Sequence, residues 1–135
     1  MTANLTATLT VSLAYKNEEG AAASITPITS ACPYQGQNHG AIDVPDAEAS
    51  ATAHSIPFGS IAKATCAILL NRTGQDLEVT INGVVATTNL PIGGTFVYGG
   101  PHHPAAQPLA SLSLKTTASQ SGAGTIGYHI FGDDV

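Results

Sequence analysis

Apolar and polar residues alternate strictly at the start of the chain. Leu5, Ala7, Leu9, Val11 and Leu13 take one phase, and Thr6, Thr8, Thr10 and Ser12 take the other. A period of two puts each set on its own face of an extended strand, and the β-branched threonines suit such a surface. The polar run Lys16-Asn17-Glu18-Glu19-Gly20 ends this strand in a turn. Residues 21–29 predict a second strand, with Ile25 and Ile28 flanking Pro27. A proline cannot donate to a ladder, so Pro27 belongs at an edge or a bulge.

From Ser30 to Pro57 the alternation weakens. Pro33, Gly36, Gly40, Pro45 and Pro57 interrupt it, and Asp43, Asp46 and Glu48 concentrate acid. This stretch reads as a long loop or arm over 30–57, with a short strand over 49–54; loops of that length usually have a role. Regularity returns at Ile61. Residues 61–70 form a nearly continuous apolar run, as in a strand covered on both faces. Asn71-Arg72-Thr73-Gly74-Gln75 makes a turn, Leu77, Val79 and Ile81 alternate with Glu78 and Thr80, and Asn82-Gly83 is a strong hairpin signal. Leu90-Pro91-Ile92-Gly93-Gly94 turns into a strand over 95–98. At the end, Leu112 and Leu114, then Ile126, Tyr128 and Ile130, alternate with small and polar residues on either side of Ser119–Gly124. The expectation is a terminal hairpin whose five large apolar residues are core. No segment carries a capped 3.6-residue stripe, so helix content should be low. The pattern predicts an all-β, single-domain antiparallel β-sandwich over 1–135, jelly-roll-like, with 1–16 as an intersubunit or edge strand.

Composition sharpens this. The chain has 135 residues, within the size of one domain. Only 10% are charged, against about 25% in typical soluble domains. A surface of hydroxyls, amides and small apolar groups is cheap to desolvate against another protein. The net charge is −5, and Lys16, Lys63, Arg72 and Lys115 are too scattered for a phosphate-tracking patch, so no nucleic-acid partner is expected. No apolar run nears the ~20 residues that span a bilayer, so no membrane partner is expected either. The N-terminus lacks a basic segment ahead of an apolar one, so no export signal is expected. Cys32 and Cys66, outside any Cys-x-x-Cys arrangement, then read as reduced, buried, small hydrophobes.

Candidate chemistry is sparse. There is no Gly-x-Ser-x-Gly elbow and no phosphate loop. The acidic pairs Glu18-Glu19 and Asp133-Asp134 sit in a turn and at the tail. His102-His103, framed by Pro and Gly, is the one local pair with metal potential, but neighbouring residues of an extended chain point opposite ways. A cupin-like metal site would need His39 or His54 as a further ligand and lacks the His-x-His spacing. The reading is therefore no enzyme, no cofactor and no metal. His129 reads as a paired or half-exposed strand residue, and the Thr6-Thr8-Thr10 ladder as an exposed strand face.

The succession Cys66-Ala-Ile-Leu-Leu-Asn71-Arg-Thr-Gly74, Leu77-Glu-Val-Thr-Ile81, Leu90-Pro-Ile-Gly-Gly94, Ala110-Ser-Leu-Ser-Leu114 and Gly122–Gly132 resembles small virion proteins of tailed bacteriophages, most of all head decoration (cement) proteins. In these a strand ending in Asn and a small polar turn precede a short strand and a Leu-Pro-x-Gly turn. The resemblance covers about half the chain, from Gly59 to Asp133. It implies a jelly-roll or related sandwich on the capsid exterior, assembled in the host cytoplasm, a homotrimer, and the major capsid protein as partner. It offers no catalytic residues. The candidate interface is Leu5, Thr6, Thr8, Thr10, Tyr34, His39, Tyr98, His102 and His103. The alternative function is a tail, baseplate or fibre-tip β-domain that contacts a host glycan through the loop around His102 and nearby tyrosines.

Overall fold

The computed structural model describes residues 5–45, 52–84, 88–99, 109–116 and 122–134, and every regular element among them is a β-strand. In chain order these are β1 (Leu5–Lys16), β2 (Ala22–Tyr34), β3 (Gly36–Val44), β4 (Ala53–Ser55), β5 (Ile61–Arg72), β6 (Leu77–Ile81), β7 (Thr88–Leu90), β8 (Thr95–Gly99), β9 (Leu112–Thr116) and β10 (Gly124–Asp134). They form three antiparallel sheets. β1 and β2 make a two-stranded ribbon, and two four-stranded sheets have the orders β3-β10-β5-β8 and β4-β9-β6-β7.

The pairing within the body follows one rule. β3 pairs with β10, β4 with β9, β5 with β8 and β6 with β7, as though one long hairpin of chain had been folded at the β6–β7 turn. Two further ladders, β5 with β10 and β6 with β9, roll that hairpin up. Both four-stranded sheets supply a single apolar cluster, a sandwich-like arrangement. Ile126, Tyr128, Ile130 and Leu69 come from one sheet, and Leu77, Val79, Leu112 and Leu114 from the other.

The terminal alternation is core as expected, but it is not a hairpin. β9 and β10 lie in different sheets, and both contribute their apolar rows to the shared core. Alternation fixes which residues share a face, and a glycine-rich connection can serve an arch between sheets as well as a tight turn.

A second correction concerns 30–57. Most of it is strand rather than loop: the end of β2, all of β3, and β4. β3 is paired with β10 over nine residues, although its own sequence is polar and glycine-rich. The reason lies in its partner. Gly40 faces Tyr128 directly, and a Cβ at Gly40 would stand 2.8 Å from the tyrosine hydroxyl, so the small residue makes room for a large ring. Residues 49–51 of the expected short strand lie outside the described residues, Thr52 is not in a strand, and β4 covers Ala53 and His54, running on to Ser55.

Two local expectations hold. The β1–β2 register slips between Val11 and Leu13, opposite Thr26 and Pro27, so the proline sits in a bulge. Asn82 and Gly83 both take positive φ, 54° and 72°, and Val84 N–H donates to Ile81 O at 3.0 Å, a tight turn at the end of β6; β7 then sets Thr88 opposite Val79, two residues out of step with a two-residue hairpin.

One buried polar cluster ties the turns together. The Asn71 side chain, at the end of β5, donates from Nδ2 to the carbonyls of Gln75 (2.9 Å), Leu90 (3.0 Å) and Pro91 (3.1 Å). Its Oδ1 accepts from Thr73 N (3.0 Å) and Thr73 Oγ1 (2.6 Å). Asn71 N–H donates to Gly94 O, and Gly93 N–H to Asn71 O. The strand-ending Asn and the Leu-Pro-x-Gly turn, separate in sequence, are thus two halves of one hydrogen-bonded unit.

Candidate functional site

Among the described residues, most of the exposed large apolar side chains belong to the β1–β2 ribbon. In an antiparallel pair, directly opposed residues project to the same side. The register opposes Leu5 to Tyr34, Ala7 to Cys32, Leu9 to Ser30, Val11 to Ile28, Leu13 to Ile25 and Tyr15 to Ala23. Ile25 and Ile28 are three apart and would fall on opposite faces of a regular strand. The bulge at Thr26–Pro27 resets the phase and brings both onto one side. The result is a ribbon with an apolar face and a second face of Thr6, Thr8, Thr10 and Thr29.

Beyond its root that apolar face is not buried. Leu5, Val11, Leu13, Tyr15 and Ile25 are about half exposed and Ile28 is 62% exposed. A twelve-residue strand rises about 40 Å, and two strands span about 10 Å, so the whole face covers about 400 Å², of which the part beyond the buried Cys32, from Leu9 to Tyr15, is about 200 Å². Exposed contiguous apolar patches of a few hundred Å² on soluble proteins are often contact sites. A lone two-stranded ribbon in water is itself marginal, so covering this face would also stabilise the ribbon. The face carries no charged side chain, since Lys16 belongs to the other face and Glu18 and Glu19 to the turn at the tip. In that turn Asn17 Oδ1 accepts from Glu19 N (3.0 Å) and Ala21 N (2.9 Å).

Among the described residues, the contacts between ribbon and body lie at the root. Tyr34 sets its ring edge-on to Phe131 of β10, with centroids 5.1 Å apart. Gln35 N–H donates to Gly132 O at 2.8 Å, and Cys32 lies against Cys66 of β5. Cys66 and Phe131 are directly opposed on the outer face of their sheet, so the ribbon crosses that face from β10 towards β5. Burial pushes the Cys66 thiol from 9.0 up to about 12, with hydrogen bonding and charge from Cys32 adding to the rise. The next outer row holds His39 and His129, stacked at 5.8 Å, with Ile68 and the exposed Val97.

The candidate residues therefore divide. Leu5 and Tyr34 are opposed on the apolar face, while Thr6, Thr8 and Thr10 line the other face, all exposed. His39 lies on β3, at one edge of its sheet, exposed and stacked on His129. Tyr98 lies on β8, at the opposite edge, stacked on Phe96 and packed against the core. His102 and His103 lie outside the described residues. Val11, Leu13, Tyr15, Ile25 and Ile28 were not anticipated as surface. Their alternation marks an apolar face but carries no signal of whether anything covers it.

Among the described residues no three His, Cys, Asp or Glu side chains are grouped as a metal ion would require. An open depression of about 420 Å³ is lined by Asp76, Glu78, Asn89 and Pro91. Asp76 Oδ1 there accepts from Ile92 N at 3.0 Å, which fits a turn-holding role, and Glu78 lies 3.9 Å from the Lys115 ammonium. No protein-family model, curated protein or solved structure matches the chain.

Proposed function

We propose that this chain is a non-enzymatic virion structural protein, a head decoration protein that clamps neighbouring capsid subunits, with the β1–β2 ribbon as its gripping arm. The observation that carries the reading is the uncovered apolar face of the ribbon beyond its root, about 200 Å² without a charge. A contact of that size is small beside the ~800 Å² per partner of a standard stable interface. It works by repetition: copies held in a homotrimer would add their arms on an ordered lattice and gain avidity. The occupant proposed for the face is an apolar strip of the major capsid protein, which such a lattice presents in many copies.

Strand order supports the finer fold expectation. A chain folded as one long antiparallel hairpin and rolled into the orders β3-β10-β5-β8 and β4-β9-β6-β7 follows the winding of a jelly roll, an architecture common in capsid proteins. The glycan-binding alternative draws on Tyr98 and His102. The first packs against the core and the second is outside the described residues, so no specific observation favours it.

The test is to add purified protein to expanded heads of its own virion lacking decoration and to follow their thermal disruption. Saturable binding by a trimer, with a rise in disruption temperature, is the predicted result. A strictly monomeric protein that leaves the heads unchanged overturns the reading.

A further inference from the structure

We propose that Cys32 and Cys66 are a disulfide-forming pair that staples the root of the ribbon to the body. Three placements converge on it. Cys32 shares the apolar face of β2 with Tyr34, two residues on. Tyr34 meets Phe131 ring to ring, and Phe131 stands directly opposite Cys66 on β10 and β5. One step back along β2 and one strand across the sheet therefore end at the same point, and the Cys32 side chain there adds to the rise in the Cys66 thiol's pKa.

Both are closed to solvent, Cys32 at 0% and Cys66 at 3% exposure, and both are thiols in this structure. The raised pKa of Cys66 agrees with thiols shut in together. The position is what gives the pair a purpose. Among the described residues, Tyr34–Phe131 and the Gln35–Gly132 hydrogen bond tie the ribbon to the body at its root, and its distal apolar face is open. A covalent bond at the root fixes the direction in which the arm leaves the sheet.

The oxidant is a small-molecule disulfide such as glutathione disulfide. One cysteine thiolate attacks it, forming a mixed disulfide and releasing one glutathione thiolate. The second cysteine, deprotonated, displaces the other glutathione. Two thiols become one disulfide, and glutathione disulfide is reduced to two glutathiones. Attack requires thiolate and access, so closure is slow on the docked ribbon and quickens with pH and with mild urea that lifts the root.

The experiment uses the purified full chain, incubated with glutathione disulfide at pH 8.5 and then analysed in denaturant without reductant. It does not depend on the virion reading. Free thiols should fall from two per chain to none, with the mass lowered by two hydrogens and a peptide containing Cys32 linked to one containing Cys66. The oxidised chain should unfold at higher urea than the reduced chain, and reductant should erase the difference. Cys32→Ala and Cys66→Ala should each keep one thiol or take up a single glutathione. A wild-type chain that keeps both thiols, gathers glutathione without closing, or links only between chains would overturn the pair.

Discussion

Replacing Asn71 with Ala removes the centre of the buried polar cluster. The two Nδ2 hydrogens serve three carbonyls, and Oδ1 accepts two hydrogen bonds from Thr73, so the side chain makes about four full hydrogen bonds. At about 1 kcal/mol net for each, the loss is about 4 kcal/mol. Two partners soften it. Thr73 Oγ1 still reaches Gln75 O at 3.1 Å, and Pro91 O still accepts from Gly94 N at 2.8 Å. Thr73 N and Leu90 O lose the Asn71 contact, so the expected cost is about 3 kcal/mol. Urea unfolding followed by circular dichroism measures it as a lower midpoint with an unchanged slope. Asn71→Asp separates the donors from the acceptor. The carboxylate keeps the Thr73 contacts but faces three carbonyls without a hydrogen to give, so it should cost at least as much at pH 7 and recover in part in acid, where a protonated carboxyl donates once. A loss below 1 kcal/mol for Asn71→Ala, or an Asp variant as stable as wild type at pH 7, would refute this view of the cluster.

Other outcomes follow from the same structure. A Cβ at Gly132 would run into the carbonyl oxygen of Lys63 on the neighbouring strand, so Gly132→Ala should lower the thermal midpoint sharply or prevent folding, as read by calorimetry. In the reduced protein the Cys66 thiol is held above its ordinary value of 9.0, towards about 12. The unfolded chain therefore loses this proton first as pH rises. Its contribution is complete below pH 9 and is lost towards pH 12, at about 1.4 kcal/mol per pH unit, a slope that Cys66→Ala should abolish in urea titrations across that range. The Lys115–Glu78 pair is partly exposed at 3.9 Å, so Lys115→Met should change stability by less than about 1 kcal/mol. Ile28→Ser, at a 62% exposed position, should leave the unfolding free energy within about 0.5 kcal/mol of wild type yet weaken binding to expanded heads.

Much of the fold is written in the period-2 alternation. β1, β6, β9 and β10 carry it plainly, and the rows of β9 and β10 are core as read. Pro27 and Asn82-Gly83 mark a bulge and a turn because each restricts or permits one backbone shape. β3 was illegible because its residues are defined by the partner strand: Gly40 looks like an interruption until Tyr128 stands opposite it. The assignment of β9 and β10 to different sheets was hidden for a related reason, since alternation does not say which strand lies alongside. For the candidate site, Leu5 and the threonines of β1 were found, but the larger apolar surface was not. Ile25 and Ile28 share a face only through the bulge, and no local pattern reveals that a face is left uncovered.

The most direct measurement is amide hydrogen exchange of the protein, free and bound to expanded heads. Free, the β1–β2 ribbon should exchange faster than β5, β9 and β10, because it has few buried contacts away from its root. Bound, protection should appear across Leu5–Lys16 and Ala22–Tyr34, greatest around Val11, Leu13, Ile25 and Ile28. Binding that protects only the body and leaves the ribbon exchanging as before would contradict the assignment of the arm.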